Sequence, residues 1–219
     1  MTTLAEDRRP AVLAIAGIVL CAVGAALVVV LQLVPPTDQI SVVSRTISEY
    51  GLSDNKWLFD VAVILVAVGS AVPLAVLRAQ RRLPTVAAVF GALWTLGLLV
   101  IVAFPKNNWA LASGSGAGGM LHRVASVVAF VCLPLAILAA ARTAFPHAPR
   151  RRFAARVLAV LSLAWFGIIL GAVVVAAIDG GRWWLLIPLG LVERGMALTE
   201  LVALAVLAAP SRAAHAVTG

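Results

Sequence analysis

Read from the N-terminus, the chain alternates long, nearly unbroken apolar runs with short polar connectors. Six runs stand out, at about 11–34, 57–77, 85–104, 120–141, 155–178 and 187–209. Each approaches or exceeds the roughly 20 predominantly apolar residues that a helix needs to cross a bilayer core. None shows the period-two alternation of a barrel strand. Backbone groups in lipid must be satisfied within their own segment, so the runs are predicted to be helices. The expected fold is all-α: a polytopic transmembrane bundle of six helices, one domain over 11–209, with short segments at 1–10 and 210–219.

One connector is richer than a tether requires. "SRTISEYGLSDN" (44–55) sets Arg45, Glu49, Tyr50, Asp54 and several serines between two apolar runs. The pattern over 41–50 predicts a short interfacial helix. Val43, Ile47 and Tyr50 share one face, and Arg45 and Glu49 pair at i,i+4. Gly51 is placed to stop it. Ser53 or Asp54 is expected to cap the second span, with Trp57 at the membrane interface.

Composition agrees with the pattern: 63 % hydrophobic residues, 12 % charged and a mean hydropathy of +1.06. The net charge of +8 does not indicate nucleic acid, because the excess sits in short loops. Eleven of the seventeen Lys and Arg residues fall at the N-terminus, after spans two and four and after span six; six fall on the other side. Positive charge accumulates on the cytoplasmic side, so both termini are predicted to be cytoplasmic. The carboxylates run the other way. Apart from Glu6 and Asp7 they lie outside or in the outer halves of spans. A bacterial plasma (inner) membrane is the expected location. The first run is longer than the ~7–15 apolar residues of a cleaved signal peptide, so it is expected to remain as a span.

Two weaker patterns bear on architecture. "VPLAVLRAQRR" and "LPLAILAAART" end spans two and four, and Trp–Gly segments follow at 93–97 and 164–167. A duplicated helical hairpin would give this, with Pro73 and Pro134 bending equivalent helices; so would convergence on Leu/Ala/Pro-rich helix ends. Gly17 and Gly24, one heptad apart, suit close helix packing within or between chains. Cys21 and Cys132 fall inside spans and are read as small packing residues.

Candidate chemistry gathers at one level. Span four opens with His122 and Ser126 at i,i+4, with Arg123 beside them. Span six opens with Glu193 and Arg194, and Glu200 lies two turns further on the Glu193 stripe. Asp60 sits in the first turn of span two. Ionisable groups at membrane depth normally face the bundle interior and pair there. One reading is therefore an outward-opening polar pocket shared by these residues with Arg45, Ser48, Glu49 and Tyr50. The other is a set of separate interfacial charges.

The segments "SEYG", His122 and "GLVER" resemble the bacterial and archaeal membrane family known as domain of unknown function 998. That family is similar in layout to Frag1-like six-span proteins, which are associated with lipid and GPI-anchor handling. The resemblance covers about residues 10–209 and brings no established reaction. It singles out Ser48, Glu49, Gly51, His122, Gly190, Glu193 and Arg194. Lipid handling is implied only by the more distant relatives.

Three functional classes follow. An intramembrane enzyme would use His122 as general base and Ser126 or Ser48 as nucleophile. Glu49 or Glu193 would orient the imidazole, and Arg45 or Arg194 would hold a phosphate. A transporter for a lipid or small amphiphile would use the buried charges, and a homodimer would be expected. A non-catalytic subunit would stabilise a membrane partner. Substrate contacts are expected from Arg45, Ser48, Tyr50, Asp60, Arg123, Arg194 and Glu200. No cofactor is expected, although His122 with carboxylates leaves a metal site open. "GSGAGG" (114–119) has no preceding strand and is read as a flexible loop rather than a dinucleotide turn. A haem held between two histidines is disfavoured, since only His122 lies at suitable depth.

Overall fold

The computed structural model describes residues 3–107 and 116–209. The 210–219 tail and residues 114–115 of the "GSGAGG" stretch lie outside the described residues. Among the described residues, six α-helices follow in order: α1 (Thr3–Leu31), α2 (Lys56–Ala79), α3 (Thr85–Ala103), α4 (Ala117–Ala144), α5 (Pro149–Asp179) and α6 (Leu189–Ala208). Among the described residues there is no strand. Short 3-10 helices occupy Thr37–Gln39, Ile47–Leu52 and Trp183–Leu185 in the connectors.

Five helices, α1 to α5, are long and apolar enough to cross a membrane. The sixth differs by its charge, since its 20 residues carry Glu193, Arg194 and Glu200. The helix starts also depart from the apolar runs. α1 begins at Thr3, so most of the 1–10 segment is helical, and α4 begins at Ala117, so the end of "GSGAGG" is its first turn rather than loop. α5 starts with Pro149 at its first position, where a missing N–H costs nothing. Both α2 and α4 continue through their prolines, Pro73 and Pro134.

Many of the buried positions in the bundle are small, and many large aliphatic residues face outward. Ala129, Ala136, Ala140, Ala155, Ala159 and Ala203 are almost fully buried, whereas Val12, Val19, Val160, Leu161 and Val174 are exposed. This is the arrangement expected where lipid is as apolar as the core and association depends on close approach. The α1–α2 pair uses it most. A Cβ at Gly24 would lie 2.6 Å from the Ala62 carbonyl, and one at Gly17 2.6 Å from the Gly69 carbonyl. The glycine pair thus serves packing within the chain. Cys21, between them, and Cys132 are both buried and unoxidised.

Two buried polar ties join neighbouring helices. The Trp94 indole on α3 donates to Ser70 Oγ on α2 at 2.8 Å, and Ser70 donates to the Ala67 carbonyl. Ser162 on α5 donates to Glu200 Oε1 on α6 at 3.0 Å. Trp165 packs instead toward Gly195 on α6. The two Trp–Gly segments therefore meet different neighbours, Trp94 its preceding helix and Trp165 its following one.

The arginines at one end also have structural work. Arg82 donates to the Ala144 carbonyl at the end of α4. Arg151 donates to the Val206 carbonyl at 3.1 Å and to that of Ala209 at the end of α6, over the Phe145 ring. Cations at helix C-termini satisfy carbonyls that have no partner within the helix.

Candidate functional site

The opposite end carries the 32–55 connector, which folds across the bundle rather than lying on it as a helix. The predicted helix over 41–50 is not formed. Residues 42–44 are turn and Arg45 is a bend, and the helical piece is the 3-10 segment Ile47–Leu52, which runs through Gly51. Val43 is accordingly exposed while Tyr50 is fully buried, so they do not share a face. Asp54 does not cap α2. Asn55 precedes it without a side-chain cap, and Ser53 Oγ accepts from the Asn55 N–H at 3.2 Å while donating to the Tyr50 carbonyl.

Carbonyls decide this outcome. The connector presents those of Val42, Val43 and Arg45 toward the start of α6, whose first N–H groups have no intrahelical partner. Gly190 N donates to the Val43 carbonyl at 2.9 Å and Leu191 N at 3.3 Å. Gly190 is required here, because a Cβ would run into the Val42 and Arg45 carbonyls. Arg194 Nη1 donates to Arg45 O at 2.8 Å, Val42 O at 3.2 Å and Gly190 O at 3.1 Å. Its Nη2 donates to Tyr50 Oη at 2.8 Å, and the guanidinium lies 5.6 Å from the Tyr50 ring centre. Tyr50 donates in turn to Gln32 Oε1 at the end of α1, and Gln32 Nε2 holds the Ile40 carbonyl at 3.0 Å. Glu193 Oε2 accepts the Ile47 N–H at 2.8 Å. The segments "SEYG" and "GLVER", about 140 residues apart, thus grip one another, and Arg194 holds backbone carbonyls in the position imagined for a phosphate.

Beside this grip lies a cavity of about 680 Å3, within the range of roughly 300–1,000 Å3 typical of ligand sites. Arg45, Ser48, Glu49, His122, Arg123, Ser126 and Glu193 all line it. Tyr50 and Arg194 stand behind its wall. Asp60 is elsewhere, held by Lys56 Nζ at 2.7 and 2.5 Å on α2. Glu200 is deeper, fully buried against Ser162. Neither lines this cavity, because the one lies on the outer turn of a different helix and the other two turns below.

Lys106, Arg182, Trp183 and Trp184 complete the mouth. Lys106 Nζ donates to Glu49 Oε1 at 2.8 Å and to Thr46 Oγ1 at 2.9 Å. Arg45 Nη1 is 3.6 Å from Glu49 Oε2, with 63 % of its side chain exposed, so the i,i+4 pair forms at the surface. Trp183 and Trp184 meet edge to face at 5.9 Å. Sequence reasoning passed over Lys106 as a loop charge. Its signal was its isolation in "FPKNNW", directly after an apolar span.

The catalytic arrangement read from the sequence is brought into one cavity but not into contact. His122 is buried, and its Nδ1 lies 2.9 Å from the Phe104 carbonyl. A carbonyl only accepts, so Nδ1 is the proton-bearing nitrogen of this contact and, in the neutral ring, Nε2 is the acceptor nitrogen. Ser126 Oγ donates to the His122 backbone carbonyl at 2.8 Å rather than to the imidazole. Glu193 is engaged by Ile47 and Glu49 by Lys106. Among the described residues, no group of three or more His, Cys, Asp or Glu side chains is placed to hold a metal ion.

The floor of the cavity is apolar. Val127, Phe130, Phe166, Ile169 and Val173 extend it down the α4–α5 groove.

One family model matches residues 10–210, and its description is "Protein of unknown function (DUF998)". No curated protein and no solved structure matches the chain.

Proposed function

The chain belongs to the DUF998 family, and from that premise we propose that this multi-pass membrane protein binds a lipid or lipid-linked molecule through its anionic headgroup. The division of the cavity carries the reading. Arg45, Lys106, Arg123 and Arg182 outnumber Glu49 and Glu193 at the mouth, and the floor is hydrocarbon. An anionic headgroup with an attached chain satisfies both halves; a water-soluble anion leaves the floor unused. His122, Ser48 and Ser126 at the wall are the groups through which a transfer step would run, and the reading commits to binding alone. It includes α6 as a sixth crossing helix, with Glu193 and Arg194 covered by the connector and Glu200 held by Ser162 on α5, and with the arginine-rich end in the cytoplasm of a bacterial cell.

Arg123 and Arg182 test it, since both are exposed and neither side chain makes a hydrogen bond or ion pair among the described residues. A hydrogen bond to a charged group contributes about 1.5–3 kcal/mol. The double variant Arg123→Ala/Arg182→Ala is therefore expected to retain phosphatidylglycerol at least tenfold less well in native mass spectrometry, with phosphatidylcholine unaffected. Equal retention by wild type and variant overturns the headgroup reading.

A further inference from the structure

A second cavity, of about 410 Å3, opens at the same end between α1, α2, α3 and α6. Its body is hydrocarbon, with Val28, Val63, Val66, Leu98 and Leu201 around the Trp94 ring. Gln32, Tyr50 and Arg194 roof it, but their polar groups are taken up by one another. At its α1 and α6 edges stand Val29 and Leu198, 61 % and 64 % exposed, so it faces the surrounding lipid sideways. On α6 it extends from Glu193 to Leu201, about 12 Å at 1.5 Å per residue, close to half the ~30 Å hydrocarbon thickness.

Four residues line both cavities: Ser48, Ser126, Phe130 and Glu193. The partition is therefore one side chain thick. It is held shut by the 2.8 Å bond from Ile47 N to Glu193 Oε2. A charged chamber and a lipid-facing hydrocarbon slot that share a wall have the shape of a two-chain lipid astride a post.

We propose that the two cavities are compartments of one site, and that the second is an acyl-chain slot, so that the ligand is a diacyl lipid with an anionic headgroup. One chain lies along the α4–α5 floor, and the other passes the Phe130–Glu193 partition into the slot between α1, α2, α3 and α6. This rests on the headgroup reading and narrows it. A soluble phosphate or a single-chain amphiphile would leave the slot empty.

The test uses the full chain in phosphatidylcholine vesicles, with phosphatidylglycerol carrying a diazirine at the end of one acyl chain. After photolysis, adducts are expected on slot residues such as Leu98 and Val66, and excess unlabelled phosphatidylglycerol should compete them away. Ala197 lines the slot and not the charged chamber. Ala197→Phe should reduce slot adducts at least fivefold relative to adducts in the α4–α5 groove, and weaken retention of the diacyl lipid. Leu98→Trp, from the facing wall, should do the same, so a folding defect in one variant does not decide the matter. Competable retention with adducts confined to outward surfaces or the α4–α5 groove would overturn the slot and leave the headgroup site standing. Loss of competable retention in wild type would overturn both.

Discussion

Arg194 is the residue on which the loop-bearing end turns. Its guanidinium serves three carbonyls and one phenol, on two sides of the connector, from a single position on α6. Hydrogen bonds from a charged donor are worth about 1.5–3 kcal/mol each, and they do not add fully when they share a group. Arg194→Ala is expected to lower stability by about 3 kcal/mol, read as the midpoint of unfolding in detergent, and to make the 40–47 backbone a proteolysis site. Arg194→Lys should recover little, since an ammonium cannot span the same carbonyls as a planar fork. Ser162→Ala is the milder counterpart. Interhelical hydrogen bonds in membranes average about 0.6 kcal/mol, and Glu200 already has one oxygen without a partner, so a loss near 1 kcal/mol is expected. The sequence marked Glu49, Tyr50, Glu193 and Arg194 as special and left open why. Spacing along a chain does not reveal that a carbonyl from residue 45 will arrive beside a guanidinium at 194. Nor does it tell a phosphate site from a backbone site, since both call for arginine.

Among the elements, the apolar helices α1 to α5 were readable as spans and the connector was not. Apolar runs fix where a helix must cross lipid, whatever its neighbours are. The 41–50 segment had no such constraint. Its helix periodicity was overridden by α6, whose N-terminal N–H groups took the Val43 carbonyl and left only the 3-10 turn at Ile47–Leu52. The α1–α2 contact is the complementary case, because a small-residue spacing correctly marked a close approach. Gly24→Leu should part these helices and lower stability by about 2–4 kcal/mol, with Cys21 becoming reactive toward a thiol probe. An unchanged midpoint and an unreactive Cys21 would show that α1 shifts aside without cost.

Across the bundle, alanines fill many of the close helix contacts while many valines and leucines face outward. Composition alone disclosed that the chain belongs in a membrane. It did not disclose that the arginines read as topology signals also hold the ends of α4 and α6. Those two roles separate in an experiment. With Cys21 and Cys132 replaced, a cysteine at Ser44 should react with an impermeant maleimide in intact cells. One at Arg81 should react only after permeabilisation. The reverse pattern would turn the bundle over and place the charged cavity in the cytoplasm.

The grip between the connector and α6 also bears on how the protein is made. The helix bearing Glu193, Arg194 and Glu200 is synthesised after α1 to α5, and a charged side chain is costly to place in a bilayer unless it is paired. Its partners, the carbonyls of residues 42–45, the N–H of Ile47 and Ser162, are all synthesised before it. On the proposed reading of α6 as a crossing helix, the earlier part of the chain is thus already in place to receive it.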